Sequence, residues 1–190
     1  TLPYFNPQGT RIVFARGSTT TFDIMSINAD GTGLTNLTAD IDDKCNCPHG
    51  AWDGGKIAFD RATTNAAGIN GDLYIMDPDG RNKTLVLGGS MAGAADDSSA
   101  FFSPDGRWLA FQRLVSSEPN PRSEIWKVKI ATGETVQLSQ LTPGADDEVD
   151  ETPAWSPDGL TVTFKRGLDL ACDLWAVDAA AGANLRNLTN

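Results

Sequence analysis

The sequence predicts an all-β protein, a β-propeller of four-stranded blades with four repeats in this chain. Three observations carry that expectation. One pattern recurs four times: an aromatic residue, a tight turn, and a β run through an anchor phenylalanine to an arginine. The anchors Phe14, Phe59, Phe111 and Phe164 are spaced by 45, 52 and 53 residues, and a period of that length made of short strands is the signature of a propeller blade. Each repeat then continues through an acidic residue with Ile or Leu to a second turn and a final short strand.

The expected blades span about 1–38, 39–87, 88–142 and 143–190 as one propeller module, with strands A to D running from the inside outward. Strand A is short and carries the aromatic: Phe5, Trp52, Phe102 and Trp155. The turns after it are clearest as Ser103-Pro104-Asp105-Gly106 and Ser156-Pro157-Asp158-Gly159. There Pro restricts φ and Gly supplies the positive φ that a tight hairpin needs. Strand B holds the Phe-x-Arg run. Strand C is Asp23–Ile27, Asp72–Met76, Glu124–Val128 and Asp173–Val177. Both alternate apolar and polar residues, as half-buried strands do. Strand D is Leu34–Thr38, Thr84–Leu87, Thr135–Leu138 and Leu185–Thr189, and the third repeat is read as ending on Leu141-Thr142. The second repeat is degenerate, being two residues short between Trp52 and Phe59.

The pattern Trp-Ser-Pro-Asp-Gly, Phe-x-x, Asp-Leu-Trp and Asn-Leu-Thr resembles the WD40-like repeat (PD40) of the TolB-like β-propeller family over nearly the whole chain. The resemblance implies a protein-interaction scaffold in the bacterial cell envelope or outside the cell. It is specific for fold, since the same repeat serves scaffolds, peptidase propellers and polysaccharide lyases. TolB-type propellers resemble six-bladed discs, whereas this chain has four repeats and no spare strand to latch a ring. Three arrangements stay open: a closed four-bladed disc, part of a larger propeller, or open ends that pair with another copy as a ring or filament.

Composition is that of a globular protein, with 40% hydrophobic and 21% charged residues. No apolar run approaches the roughly 20 residues that span a bilayer. The chain starts at Thr1 without Met, which fits removal of a leader and an extracytoplasmic location, whether periplasmic, cell-surface or secreted. A net charge of −10 argues against nucleic acid or anionic lipid as the main partner.

The links from strand D to the next strand A are acidic. They hold Asp40, Asp42 and Asp43, then Asp96 and Asp97, then Asp146, Asp147, Glu148, Asp150 and Glu151. On one face of a propeller these carboxylates converge, and a basic protein surface relieves their repulsion. They are the expected partner-binding residues. A hard cation such as Ca²⁺ is a second occupant, although no EF-hand spacing is present, and a solvated rim is the plain alternative.

The arginines that end strand B have a structural expectation. Arg16, Arg61, Arg113 and Arg166 lie in hairpin register with Asp23, Asp72, Glu124 and Asp173, which begin strand C. Four repeated ion pairs are therefore expected within the blades. Three cysteines, Cys45, Cys47 and Cys172, do not make a disulfide framework. One bridge from Cys172 to Cys45 or Cys47 would help lock a closed ring, and Cys45-Asn46-Cys47-Pro48-His49 lacks the usual spacing of a zinc clip.

His49 is the only histidine, and neither a Gly-x-Ser-x-Gly elbow nor a phosphate-binding glycine loop is present. Carboxylate-only glycan chemistry is the one enzymatic option left by the residue types. No catalytic residue, metal or cofactor is assigned. The expected role is non-catalytic, through a protein partner or further copies of the chain, with glycan binding as a further alternative.

Overall fold

The computed structural model describes residues 3–17, 22–41, 44–50, 55–65, 68–88, 96–116, 122–142, 148–168 and 171–189. They form sixteen strands in four antiparallel four-stranded sheets, each in simple chain order. The first is β1 (Tyr4–Phe5), β2 (Arg11–Gly17), β3 (Phe22–Asn28) and β4 (Thr35–Asn36). The second is β5 (Lys44–Gly50), β6 (Ile57–Asn65), β7 (Gly68–Met76) and β8 (Thr84–Leu87). The third is β9 (Asp96–Phe102), β10 (Trp108–Ser116), β11 (Arg122–Lys129) and β12 (Thr135–Gln137). The fourth is β13 (Asp150–Trp155), β14 (Thr161–Leu168), β15 (Ala171–Asp178) and β16 (Arg186–Asn187). The expected blade fold is what is observed.

The turn chemistry repeats atom by atom. Ser103 Oγ donates to Asp105 Oδ1 and accepts from the Trp108 backbone N–H, and Ser156 Oγ does the same with Asp158 and Thr161. Gly106 and Gly159 follow with φ of 67° and 72°.

Strand A is longer than expected. β9 and β13 begin at Asp96 and Asp150, inside what reads as acidic link. An irregularity in register with strand B makes this possible. Ser99 and Thr152 sit at that step with φ of 53° and 50°, a left-handed conformation that is costly for a β-branched threonine. Trp52 lies outside the described residues.

The third repeat does not end where the sequence suggests. The Leu138 N–H donates to the Ile125 carbonyl, as Leu37 does to Ile24 and Leu188 does to Leu174. Ser139 Oγ accepts from the Ile125 N–H, as Thr38 Oγ1 does from Ile24 and Thr189 Oγ1 from Leu174. Leu138-Ser139 therefore fills the place read as Leu141-Thr142. A serine hydroxyl serves as well as a threonine, so the motif is hidden by a substitution the geometry tolerates.

Three apolar clusters hold consecutive blades together. Ala15, Ile24 and Leu37 pack on Ile57, Phe59 and Met76. Ala58, Leu73 and Ile75 pack on Phe102, Leu109, Phe111 and Val128. Ala110, Ile125 and Leu138 pack on Val162, Phe164, Val177 and Ala179. Each blade thus turns one face forward and receives the preceding blade on the other. The alternation of side chains along a strand makes both faces available from one sequence pattern. The turn between strands C and D seats on the preceding blade: a Cβ on Gly80 would fall 2.7 Å from the Leu37 carbonyl oxygen, and one on Gly182 would fall 2.6 Å from that of Leu138.

Candidate functional site

The Phe-x-Arg signature builds a layered clamp on strand B. In the third blade Phe111 and Trp126 are register partners, and the Arg113 guanidinium lies 5.2 Å and 4.8 Å from their ring centroids. In the fourth, Arg166 lies 5.6 Å from Phe164 and 4.8 Å from Trp175. In the second, Arg61 is 5.8 Å from Tyr74.

These arginines lie beside Glu124 and Asp173 in register, yet their ion pairs form on the opposite side of the strand. Arg113 Nε and Nη2 donate to the Asp97 carboxylate, both at 2.8 Å. Arg166 Nε and Nη2 donate to Asp150 at 2.6 and 2.7 Å. The expected pairs Arg113–Glu124 and Arg166–Asp173 are corrected accordingly. Strand A approaches from the core side, where the planar fork is met bidentately and water is excluded. Asp97 and Asp150 are 1% and 0% exposed. Burial pushes both carboxyls up from the ordinary value, against the pull of the guanidinium. Ser139 Oγ donates to Asp150 Oδ2, and Ser123 Oγ donates to its carbonyl, so the fourth blade is tied to the third through one buried aspartate.

Strand C acids have a different task. Asp173 accepts from Thr189 Oγ1 at 2.7 Å and Asn187 Nδ2 at 2.9 Å, and Asp23 accepts from Thr38 Oγ1 at 3.2 Å. Glu124 accepts from Gln137 Nε2 and Trp126 Nε1. These residues fasten strand D to strand C. The backbones of Arg16–Asp23 and Arg61–Asp72 lie opposite each other in register, with Arg16 exposed. Opposite Arg61 on strand A, the place of the aspartate is taken by Cys45. The strand A acids were detectable in sequence, because Asp97 and Asp150 both stand five residues before the strand A aromatic.

The remaining described link acids also have partners within the chain. Asp40 is mostly exposed and meets Lys83 Nζ at 2.8 Å, which holds its carboxyl below the usual range. Asp96 is half-buried, raised by burial, and accepts a hydrogen bond from the Gly71 backbone. Glu148 accepts from the Thr142 N–H and hydroxyl and approaches Arg166 to 4.0 Å. Glu151 meets Lys165 at 3.0 Å. Asp42, Asp43, Asp146 and Asp147 lie outside the described residues. Among the described residues, no three His, Cys, Asp or Glu side chains come together as metal ligands.

Cys172 carries a free, exposed thiol at the start of β15, so the bridge to Cys45 or Cys47 is not formed. That bridge was expected to lock a closed four-bladed ring. None of the core clusters among the described residues joins the fourth blade to the first. The side chains of Cys45, Cys47 and His49 are outside the described residues.

The outer faces of the first and fourth blades differ from all internal ones. Leu174 is 44% exposed, whereas its repeat counterparts Ile24, Leu73 and Ile125 are fully buried. Leu188 is 48% exposed against 3% for Leu37 and 2% for Leu138. On the first blade Phe5 is 61% exposed while its counterpart Phe102 is buried. These faces carry the residue types that elsewhere bury against a neighbouring blade.

Comparison with solved structures agrees with the blade fold. The chain superposes on a TolB from Agrobacterium tumefaciens with a TM-score of 0.76 at 19% identity, covering 96% of this chain and 62% of that one. On TolB from Acinetobacter baumannii the TM-score is 0.70 at 18% identity, covering 99% and 43%. This chain has the fold of the TolB-like β-propellers. At these identities the likeness concerns fold alone, and the TolB-like chain spans less than two thirds of either TolB structure. Other propellers superpose too, including an oligogalacturonate lyase in complex with manganese, with a TM-score of 0.64 at 15% identity over 92% and 47%. The set of neighbours therefore holds enzymes as well as TolB proteins. No family model and no curated protein matches the sequence.

Proposed function

We propose that the chain acts by binding rather than by catalysis, as an extracytoplasmic TolB-like propeller scaffold that docks protein. The observation that carries this reading is the exposure of Leu174 and Leu188 at places where the repeat elsewhere buries its aliphatic side chains. Solvent-facing leucines on a flat sheet face mark an interaction surface. The occupant they fit is another blade-like protein surface, whichever polypeptide supplies it. The extracytoplasmic location is supported by the repeat's resemblance to TolB propellers.

The acidic links form the second contact region in this reading. Asp40, Asp42, Asp43, Asp96, Asp146, Asp147, Glu148 and Glu151 are its residues, while Asp97 and Asp150 are buried against Arg113 and Arg166. A second reading is favoured by one observation. The three internal interfaces already join a forward face to a backward face, and the outermost faces offer that same pair, so a further copy of the chain is a fitting partner.

Light scattering tests both. The wild-type chain should exceed its 20.2 kDa monomer mass as concentration rises, and Leu174→Lys with Leu188→Lys should restore the monomer. A wild-type mass fixed at the monomer would remove the self-docking reading. If Asp40→Asn or Glu148→Gln altered that mass and the leucine changes did not, the acidic links would be the contact.

A further inference from the structure

The hairpin turn between strands C and D carries a left-handed glycine in every blade. Gly31, Gly80, Gly133 and Gly182 have φ of 86°, 85°, 71° and 68°. In three blades the turn lies over strand D of the preceding blade. A Cβ would fall 2.7 Å from the Leu37 carbonyl oxygen at Gly80, 3.8 Å from that of Val86 at Gly133 and 2.6 Å from that of Leu138 at Gly182. At Gly31, in the first blade, a Cβ would meet nothing within 4 Å among the described residues. The turn is nonetheless built like its counterpart. The Gly31 N–H donates to the Asn28 carbonyl and the Asn28 N–H to that of Thr32, as Gly80 does to Asp77 and Asp77 to Arg81.

Leu34 follows the same division. Leu34 and Leu185 each stand three residues before the strand D leucine, Leu37 or Leu188. Leu185 packs on the cluster that joins the third and fourth blades, whereas Leu34 is 48% exposed. The seat for such a turn recurs at the other end of the chain. The Leu188 N–H is held by the Leu174 carbonyl, as those of Leu37 and Leu138 are by Ile24 and Ile125, and Leu188 is exposed.

We propose that the turn of residues 28–34 in one copy seats on the fourth blade of a second copy, with Gly31 over the Leu188 carbonyl and Leu34 against the neighbouring leucines. The proposal rests on the self-docking reading above and supplies the surface that meets Leu174 and Leu188. The contact continues the internal blade-to-blade junctions, so a Cβ at position 31 would crowd the Leu188 carbonyl as one at Gly80 crowds that of Leu37. Two different patches meet. A bound pair therefore keeps one free patch of each kind, and association runs on past two copies.

The test is light scattering over a concentration series, with the melting temperature of the dilute sample as the check on folding. The wild-type mass should rise without levelling at two copies. Gly31→Asn introduces a residue that this chain already holds at φ of 51° and 55°, at Asn82 and Asn184. It should weaken association by at least about tenfold, as overpacking of a close contact does, with the melting temperature little changed. Leu34→Ser strains no backbone, should weaken association too, and takes the place of Gly31→Asn should that variant not fold. Gly106→Asn, at an equally open turn of the third blade, should leave association as it is. The decisive step mixes Gly31→Asn with the chain carrying Leu174→Lys and Leu188→Lys. Each keeps the patch that the other has lost, so together they should form a one-to-one complex that grows no further. A wild-type chain that stays monomeric would overturn the proposal together with the self-docking reading. Wild-type association that Gly31→Asn leaves untouched, or a mixture that yields no one-to-one complex, would overturn the proposal alone.

Discussion

Arg166 grips Asp150 rather than Asp173, although Asp173 is its register partner across the hairpin. The choice sets the architecture of the blade. The guanidinium sits between Phe164 and Trp175 and points toward the innermost strand, so the Phe-x-Arg motif staples strand A to strand B. Arg113 and Asp97 repeat the relationship one blade earlier.

Removing one member of this pair leaves a buried charge. Asp150→Asn and Arg166→Ala are each expected to cost about 3–5 kcal/mol, measured by urea denaturation. Asp173→Asn breaks only partly exposed hydrogen bonds and should cost about 1 kcal/mol. Equal costs for Asp150→Asn and Asp173→Asn would contradict the assignment.

Leu138 and Leu188 occupy the same place in the repeat with opposite burial. Leu138→Ala should destabilise by about 2–5 kcal/mol, the range for a buried leucine, while Leu188→Ala in the dilute monomer should cost under about 1 kcal/mol. Thermal unfolding of both variants checks this.

Gly182 has φ of 68° and lies against the Leu138 carbonyl. Gly182→Ala is expected to lower stability by more than about 1 kcal/mol from the backbone conformation alone, with the contact adding to it. Gly106 has a similar φ with open space around it, so Gly106→Ala should be the milder of the two.

Stability should fall in acid. Asp77, Asp105, Asp158 and Asp173 all have carboxyls held below the ordinary 3.8 by hydrogen bonds: Lys56 with Asn82, Ser103, Ser156, and Thr189 with Asn187. A depressed folded value means the folded state binds fewer protons than the unfolded one. Their stabilisation is complete above about pH 4 and is lost as pH falls through the depressed values. Asp97 and Asp150 have raised values and act in the opposite sense, so their contribution grows as pH falls toward about 4. The melting temperature should therefore rise modestly from neutral to about pH 4 and drop below it.

The repeat, the strand order and the turns were legible in the sequence because period-two alternation and Ser-Pro-Asp-Gly chemistry are local. Thr84–Leu87 is a strand with those very ends. The ion pairs were not, because an arginine on a central strand has a neighbour on each side and only the packing shows which side is dry. Ser139 was missed because it does the work of a threonine under another name. The exposure of Leu174 could not be read either, since its residue type matches those of its buried counterparts.

The most direct test of the self-docking reading is hydrogen–deuterium exchange of the full chain at low and high concentration. Amides of β15 and β16, with those of β1 and β2, should gain protection as concentration rises, while β6 and β10 stay constant. Protection at β15 and β16 that is independent of concentration would contradict the claim that the Leu174–Leu188 face docks another copy.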